Sequence, residues 1–278
     1  MSSEIHLEKL EEGHSKVGDD ESISRKGFRF CTSQAVVKKI QKVIAEAIGT
    51  YFLIFAGCGS VAINRMYDNA ITFPGIAVTW GLIVMVMIYS VGHISGAHFN
   101  PAVTVTFAIF RNFPIKELPL YIGAQLAGSL LASATLCFLF DVPPEAYFGT
   151  VPAGSNIRCF VFEIIISFLL MFVISGVATD SRAIGEMAGI AIGMTILLNV
   201  FIAGPVTGGS MNPARSIGPA VVMRIYTGLW IYILGPFIGA ILGGFAYNLI
   251  RFTEKPLSEL TKSNSIIKSM SRTISFAR

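Results

Sequence analysis

Two copies of Asn-Pro-Ala constrain this chain more than any other feature: Asn100-Pro101-Ala102 and Asn212-Pro213-Ala214. Asparagine is a strong helix N-cap, and proline is favoured at the first helical position. In a soluble loop each copy would be an ordinary helix start. Here each interrupts a long apolar region, so each helix begins at membrane depth. The apolar segments that follow, about 100–110 and 212–222, would each reach roughly 15 Å as helix. Neither can cross a hydrocarbon core of about 30 Å. End to end, the two add up to about one bilayer thickness. The motifs therefore predict two half-helices meeting at the centre of a pore.

Composition agrees with a bilayer as the solvent. Hydrophobic residues make up 53% of the 278 residues and charged residues 14%, against about 25% charged in a soluble domain. The formal charge of +4 sits mostly in the two tails and does not suggest nucleic-acid binding. No apolar stretch precedes Val43, so no cleavable leader is expected. Six segments satisfy the requirement of about 20 apolar residues: about 41–63, 71–92, 118–140, 159–179, 187–203 and 228–250. The expected fold is an all-α membrane protein with six transmembrane helices and two re-entrant half-helices. A channel domain over 41–250 would lie between tails 1–40 and 251–278.

The channel region contains two repeats, 41–140 and 159–250. Ala45-Glu46-Ala47 through Phe55 matches Phe162-Glu163-Ile164 through Phe172, and Tyr121-Ile122 matches Tyr232-Ile233. Three spans per half is an odd number, so the second half must be inverted relative to the first. Inverted repeats place a site near the midplane, with broken helices aiming their N-termini at it. The approaches Gly92–Phe99 and Gly204–Met211 are expected to be irregular. Such backbone is tolerated at membrane depth only where protein buries it or water lines it. Arg25, Lys26, Arg29, Lys38, Lys39, Lys42, Arg111, Lys116, Arg182, Arg251 and Lys255 fall on one side. Arg65, Arg158, Arg215 and Arg224 fall on the other. This bias predicts both termini in the cytoplasm.

The polar residues at depth carry the chemistry. Asn100 and Asn212 can cap with the side-chain oxygen and keep the amide NH2 free to donate into the pore. Both helix N-termini add partial positive charge, which orients a passing oxygen and opposes cations and protons. Arg215 lies three residues after Asn212, where the first repeat has Val103; a charge at depth faces a cavity or a partner. A buried arginine–carboxylate pair is the alternative. Glu46 and Glu163 occupy equivalent positions and are expected to hold backbone N–H groups of the re-entrant loops rather than to relay protons. His93 and His98 flank the first motif's approach; both are expected to pack and hydrogen-bond the irregular loop, His93 as loop support facing the inner vestibule, with pH sensing or metal binding as the alternatives. Cys31, Cys58, Cys137 and Cys159 fit neither a metal site nor a disulfide framework. Small residues four apart, such as Gly235, Gly239 and Gly243, predict close helix crossings. No metal, cofactor or enzymatic constellation is expected.

These residues resemble the major intrinsic protein (aquaporin) superfamily over about 40–250. The closest likeness is to the plant nodulin-26-like intrinsic proteins, first subgroup. It is carried by Tyr89-Ser90-Val91-Gly92-His93-Ile94-Ser95-Gly96-Ala97-His98, Val177-Ala178-Thr179-Asp180-Ser181-Arg182-Ala183, Gly208-Gly209-Ser210-Met211-Asn212 and Gly228-Leu229-Trp230-Ile231-Tyr232. The resemblance implies a homotetramer in a plant membrane such as the plasma membrane, with one pore per subunit. It also implies a four-residue selectivity filter at Trp80, Val200, Gly209 and Arg215. Water-selective members have His where this chain has Val200. The first subgroup commonly has Ala in place of Gly209; metalloid-permeable subgroups have Gly there but a small residue in place of Trp80. The mixed filter implies water and glycerol-like polyols, with boric acid and arsenite as alternatives. The C-terminal tail is similar to the family's as well. Leu260-x-Lys262-x-x-Ser265 and Met270-x-Arg272-x-x-Ser275 look like sites for a calcium-dependent kinase. An ion-coupled secondary transporter is the alternative class, but no paired carboxylates at the midplane support it.

Overall fold

The computed structural model describes residues 34–251. Cys31, Ser265 and Ser275 lie outside the described residues. Eight α-helices follow in order: α1 Gln34–Met66, α2 Thr72–Ser95, α3 Pro101–Ile109, α4 Leu118–Phe140, α5 Asn156–Thr179, α6 Ala188–Thr207, α7 Pro213–Met223 and α8 Ile231–Ile250. All except α3 and α7 belong to the six segments long and apolar enough to cross a membrane. The described residues contain no strand. Helix α1 starts at Gln34, ahead of the apolar span expected from position 41. Its first turns, with Lys38, Lys39 and Lys42, are good helix formers and continue the helix beyond the apolar segment.

The two halves repeat in detail. Helix α2 ends at Gly96 (φ 89°) and α6 at Gly208 (φ 83°), both left-handed, with N–H groups returning to the carbonyls of Gly92 and Gly204. Left-handed residues then recur at matched positions, Ala97 (50°) with Gly209 (58°) and Phe99 (50°) with Met211 (54°). The loops close on Asn100 and Asn212, both extended at φ −151° and −149°. The irregular stretches are shorter than expected. Helix persists through Ser95 and Thr207, leaving only 96–99 and 208–211. A glycine inside a helix costs about 1 kcal/mol, whereas an unsatisfied backbone group at membrane depth costs several, so helix wins until the left-handed glycine.

Packing follows the repeat. Helix α1 lies on α4, α5 on α8, and α2 on its counterpart α6. Glycines set the crossings. A Cβ on Gly81 would come 2.8 Å from the Gly193 carbonyl, and one on Gly193 2.5 Å from the Gly81 carbonyl. Gly239 and Gly243 press on the Ile164 and Phe168 carbonyls, and Gly128 presses on that of Ala47. The expected small-residue crossings are therefore present. The half-helices exchange partners: α3 also packs on α8, and α7 on α4. Ser129 of α4 donates to the Ala214 carbonyl at 2.6 Å. This crossing-over brings both motifs to one place.

Candidate functional site

The two asparagines meet at the molecular centre. Asn100 Oδ1 accepts from the Ala102 N–H at 2.9 Å, and Asn212 Oδ1 from Ala214 at 2.9 Å and Arg215 at 3.4 Å. These are the expected caps. The amide NH2 groups are not wholly free, however. Asn100 Nδ2 donates to the Met211 carbonyl at 2.8 Å, and Asn212 Nδ2 to the Phe99 carbonyl at 2.9 Å. Each half thus ties down the other half's loop. An amide NH2 has two donors, so one N–H per asparagine remains for the cavity that both residues line.

Each loop is held from beneath by a glutamate. Glu46 Oε1 accepts from the His98 N–H at 2.9 Å and the Ser95 hydroxyl at 2.7 Å. Its Oε2 accepts from the Phe99 N–H at 2.8 Å and from Gln125 at 2.8 Å. Glu163 accepts from the Ser210 N–H at 3.0 Å, the Met211 N–H at 2.9 Å and the Thr207 hydroxyl at 2.7 Å. Both side chains are fully buried. Every oxygen of these carboxylates is occupied by a donor, so both glutamates act as fixed anchors for left-handed loop backbone.

His93 is misassigned as loop support by the sequence reading. It lies on the last turn of α2 and is exposed. Helix continues through it, and among the described residues no hydrogen bond ties its side chain to the loop. The histidine in contact with the loop is His98. Its Nδ1 lies 3.2 Å from Thr104 Oγ1, and its ring packs on Phe107, Phe113 and Tyr121. Thr104 Oγ1 already donates to the Asn100 carbonyl and accepts from Gln125. It can therefore only accept from His98, which places the imidazole proton on Nδ1.

A cavity of about 110 Å³ runs past the asparagines, and Trp80, Val200, Gly209 and Arg215 all line it. The Arg215 guanidinium carbon lies 4.9 Å from the Trp80 ring centroid. A Cβ on Gly209 would lie 3.4 Å from Val200 Cα. Arg215 is buried at 3% exposure, and no carboxylate pairs with it among the described residues. Instead Nη1 donates to the Phe148 carbonyl at 3.4 Å and reaches Cys58 Sγ at 3.7 Å. Its buried Nε has no protein partner.

The sequence reading missed what fixes Arg215. The connection 141–155 folds inward, burying Tyr147, Phe148 and Thr150. Arg65, at the end of α1, donates to the Tyr147 carbonyl at 2.5 Å, adjacent to the carbonyl held by Arg215. Thr150 donates to Ser216 at 2.8 Å, and Ser216 lies 2.7 Å from Ser210 Oγ. Burial pushes the Tyr147 phenol up to about 12, against the pull of Arg215 and Arg65; it stays neutral. The signal available in the sequence was an aromatic pair, Tyr147-Phe148, in a connection otherwise rich in Pro and Gly. Cys58, Cys137 and Cys159 are free thiols, and the described residues contain no cluster of metal-binding side chains.

The opposite end of the fold is clamped by Asp180. Arg182 donates to it through Nε at 2.9 Å and Nη2 at 2.6 Å, and Tyr247 through its hydroxyl at 2.9 Å. Arg251 donates to the Thr179 carbonyl at 2.8 Å. The Arg182 hydrogen bonds hold the Asp180 carboxyl well below the usual carboxylate range.

Residues 33–247 match the Major intrinsic protein family. A curated relative from Nicotiana alata, named "Probable aquaporin NIP-type", is 65% identical over 270 residues, covering 96% of this chain and 98% of its own. Nodulin-26 of Glycine max is 62% identical over 229 residues, covering 82% and 84%. Among solved structures, the aquaglyceroporin from Plasmodium falciparum superposes with a TM-score of 0.70 at 25% identity, covering 76% of this chain and 96% of that one. With two capped half-helices meeting beside a lined cavity and this similarity across nearly its whole length, the chain belongs to the major intrinsic protein (aquaporin) family and is a membrane channel of the plant nodulin-26-like type, not an enzyme.

Proposed function

We propose that this channel conducts water and small uncharged polyols such as glycerol, and excludes ions and protons. One observation carries the reading: Arg215 lies against the Trp80 ring, while Val200 and Gly209 line the same cavity. Arg215 supplies donors for hydroxyl oxygens. Trp80 and Val200 offer apolar faces to a carbon backbone, and Gly209 leaves width. Neither Trp80 nor Val200 can replace the hydration shell of an ion. The remaining N–H of Asn100 and of Asn212, each at a helix N-terminus, orients the solute oxygen in a positive field. The solved aquaglyceroporin shares this fold.

The family and the basic-residue bias support a homotetramer with both termini in the cytoplasm of a plant cell, in the plasma membrane or another membrane. Ser265 and Ser275 have the spacing of calcium-dependent kinase sites. Phosphate there would add about −1.5 to −2 charge beside a basic tail. Boric acid and arsenite are the second reading; Gly209 favours them, and the bulk of Trp80 opposes them.

Stopped-flow light scattering of proteoliposomes holding the full chain tests the function. Fast flux under both water and glycerol gradients is expected, with no dissipation of a pH gradient. Water flux without glycerol flux would overturn the polyol assignment. Proton leakage would overturn the exclusion.

A further inference from the structure

The two re-entrant loops are docked by different means. Phe99 and Met211 hold matched, left-handed places just before the asparagines. Each N–H binds the glutamate of its own half, and each carbonyl accepts from the opposite asparagine. Their side chains then diverge. The register that aligns Glu46 with Glu163 also aligns Gly49 with Ile166. In the first half the Phe99 ring occupies the notch left by Gly49, where a Cβ would overlap it. In the second half Ile166 carries a side chain at that point, and the steric dock is lost. Asn199 takes its place. It lies in α6, buried at 1% exposure, where the first half has Met87. Its Nδ2 donates to the Ile166 carbonyl at 2.9 Å and to Met211 Sδ at 3.2 Å. A carbonyl oxygen and a thioether can only accept, so both amide N–H groups are committed and the amide has one workable orientation. Glu163 and Ile166 lie three residues apart on one face of α5. Helix α5 thus holds Met211 through a carboxylate and reaches α6 through a carbonyl, with Asn199 closing the circuit.

We propose that Asn199 is a positioning residue for solute selection: by clamping α6 to α5 and to Met211, it fixes how far Val200 stands from the Gly209–Arg215 wall. Val200 follows Asn199 directly, and Val200, Gly209, Met211 and Arg215 all line the cavity. The margin is narrow, since a Cβ on Gly209 would lie 3.4 Å from Val200 Cα. A polar side chain at membrane depth is costly unless partners satisfy it, and Asn199 spends both donors on ties between separate elements. Without those ties, α6 and the second loop are free to shift apart. A gap that samples wider openings favours larger solutes over smaller ones. A site whose supporting contacts are loosened loses discrimination even when every lining residue is still present. The inference rests on the conduction reading above, because it presumes that solute passes between Val200 and Gly209.

The test uses the purified full chain in proteoliposomes, with water, glycerol and erythritol as probes and flux normalised to incorporated protein. Asn199→Leu roughly keeps the volume and removes both donors. Erythritol flux relative to glycerol is expected to rise about threefold. Met211→Leu removes only the sulfur and should shift the ratio in the same direction by less. The double variant should match Asn199→Leu alone, because both substitutions act through one contact. A lowered melting temperature with an unchanged ratio would make Asn199 a purely structural residue and overturn the proposal; fully additive shifts would overturn the shared clamp. If Asn199→Leu does not reconstitute, Met211→Leu decides, and an unchanged ratio there overturns the proposal. A wild type that passes water but no polyol overturns the polyol reading alone. The clamp then predicts that Asn199→Leu admits glycerol, and continued exclusion overturns it too. A wild type no faster than protein-free vesicles for any probe overturns both.

Discussion

At the scale of single residues, the proposed constriction depends on what Val200 and Gly209 lack. Val200 carries no hydrogen-bonding group and Gly209 no side chain. Val200→His would add a donor and narrow the gap; the glycerol-to-water permeability ratio should fall by roughly tenfold, or about 1.4 kcal/mol, in stopped-flow assays. Gly209 sits at φ +58°, and a Cβ there would make ordinary contact with Val200 Cα at 3.4 Å. Gly209→Ala therefore fits sterically but bears the left-handed penalty of roughly 1–2 kcal/mol. A modest fall in melting temperature is expected, with a larger loss of glycerol flux than of water flux. Val200 and Gly209 are named only through the family resemblance, which implies a filter at a set count from the motifs; what the structure adds is that both line the cavity. Arg65 could not be named that way: its importance depends on a loop carbonyl that no local pattern places beside it.

The element that decides function is the loop-plus-half-helix, and its energetics centre on two carboxylates. Glu163→Gln would replace one charge-accepting oxygen with an NH2 facing existing donors. Losing charge-assisted hydrogen bonds and stranding a buried N–H should cost about 3 kcal/mol. We expect a lowered melting temperature and reduced flux, without any new dependence on an ion gradient. An unchanged melt would show that Glu163 does not anchor the loop. The half-helices themselves were legible: the 101–109 and 213–223 segments start at the motif prolines, as Asn-Pro requires. Their approach loops were read as longer than they are. Composition marks where a helix can end; it does not reveal which glycine turns left-handed, since that depends on a glutamate from another helix capturing the next N–H groups.

At the scale of the whole molecule, the structure is two copies of one unit sharing a cavity. The Asp180 clamp joins the end of α5 to the end of α8 and so closes the second copy. Its carboxyl is held low by Arg182 and then Tyr247. A lowered carboxyl stabilises the fold above its unfolded value of about 3.9 and loses that contribution only as pH falls through the lowered folded value. Asp180 is thus ionised throughout neutral pH. Asp180→Asn should lower the melting temperature by the same amount at pH 6 and pH 8, with the difference shrinking only in strong acid. A gap that changes between pH 6 and pH 8 would show that Asp180 titrates there.

The sequence by itself determined the class: six spans, two half-helices and an inverted repeat. Hydropathy, proline and asparagine act locally, and a bilayer permits few folds. It also determined which residues sit at equivalent points of the repeat. Tertiary structure alone decided how the asparagine amides are shared between a partner loop and the cavity, that His98 rather than His93 meets the first loop, and that Arg215 is aimed by the 141–155 connection. Those outcomes depend on carbonyls and N–H groups from distant segments, whose directions are fixed only when the two halves close on each other.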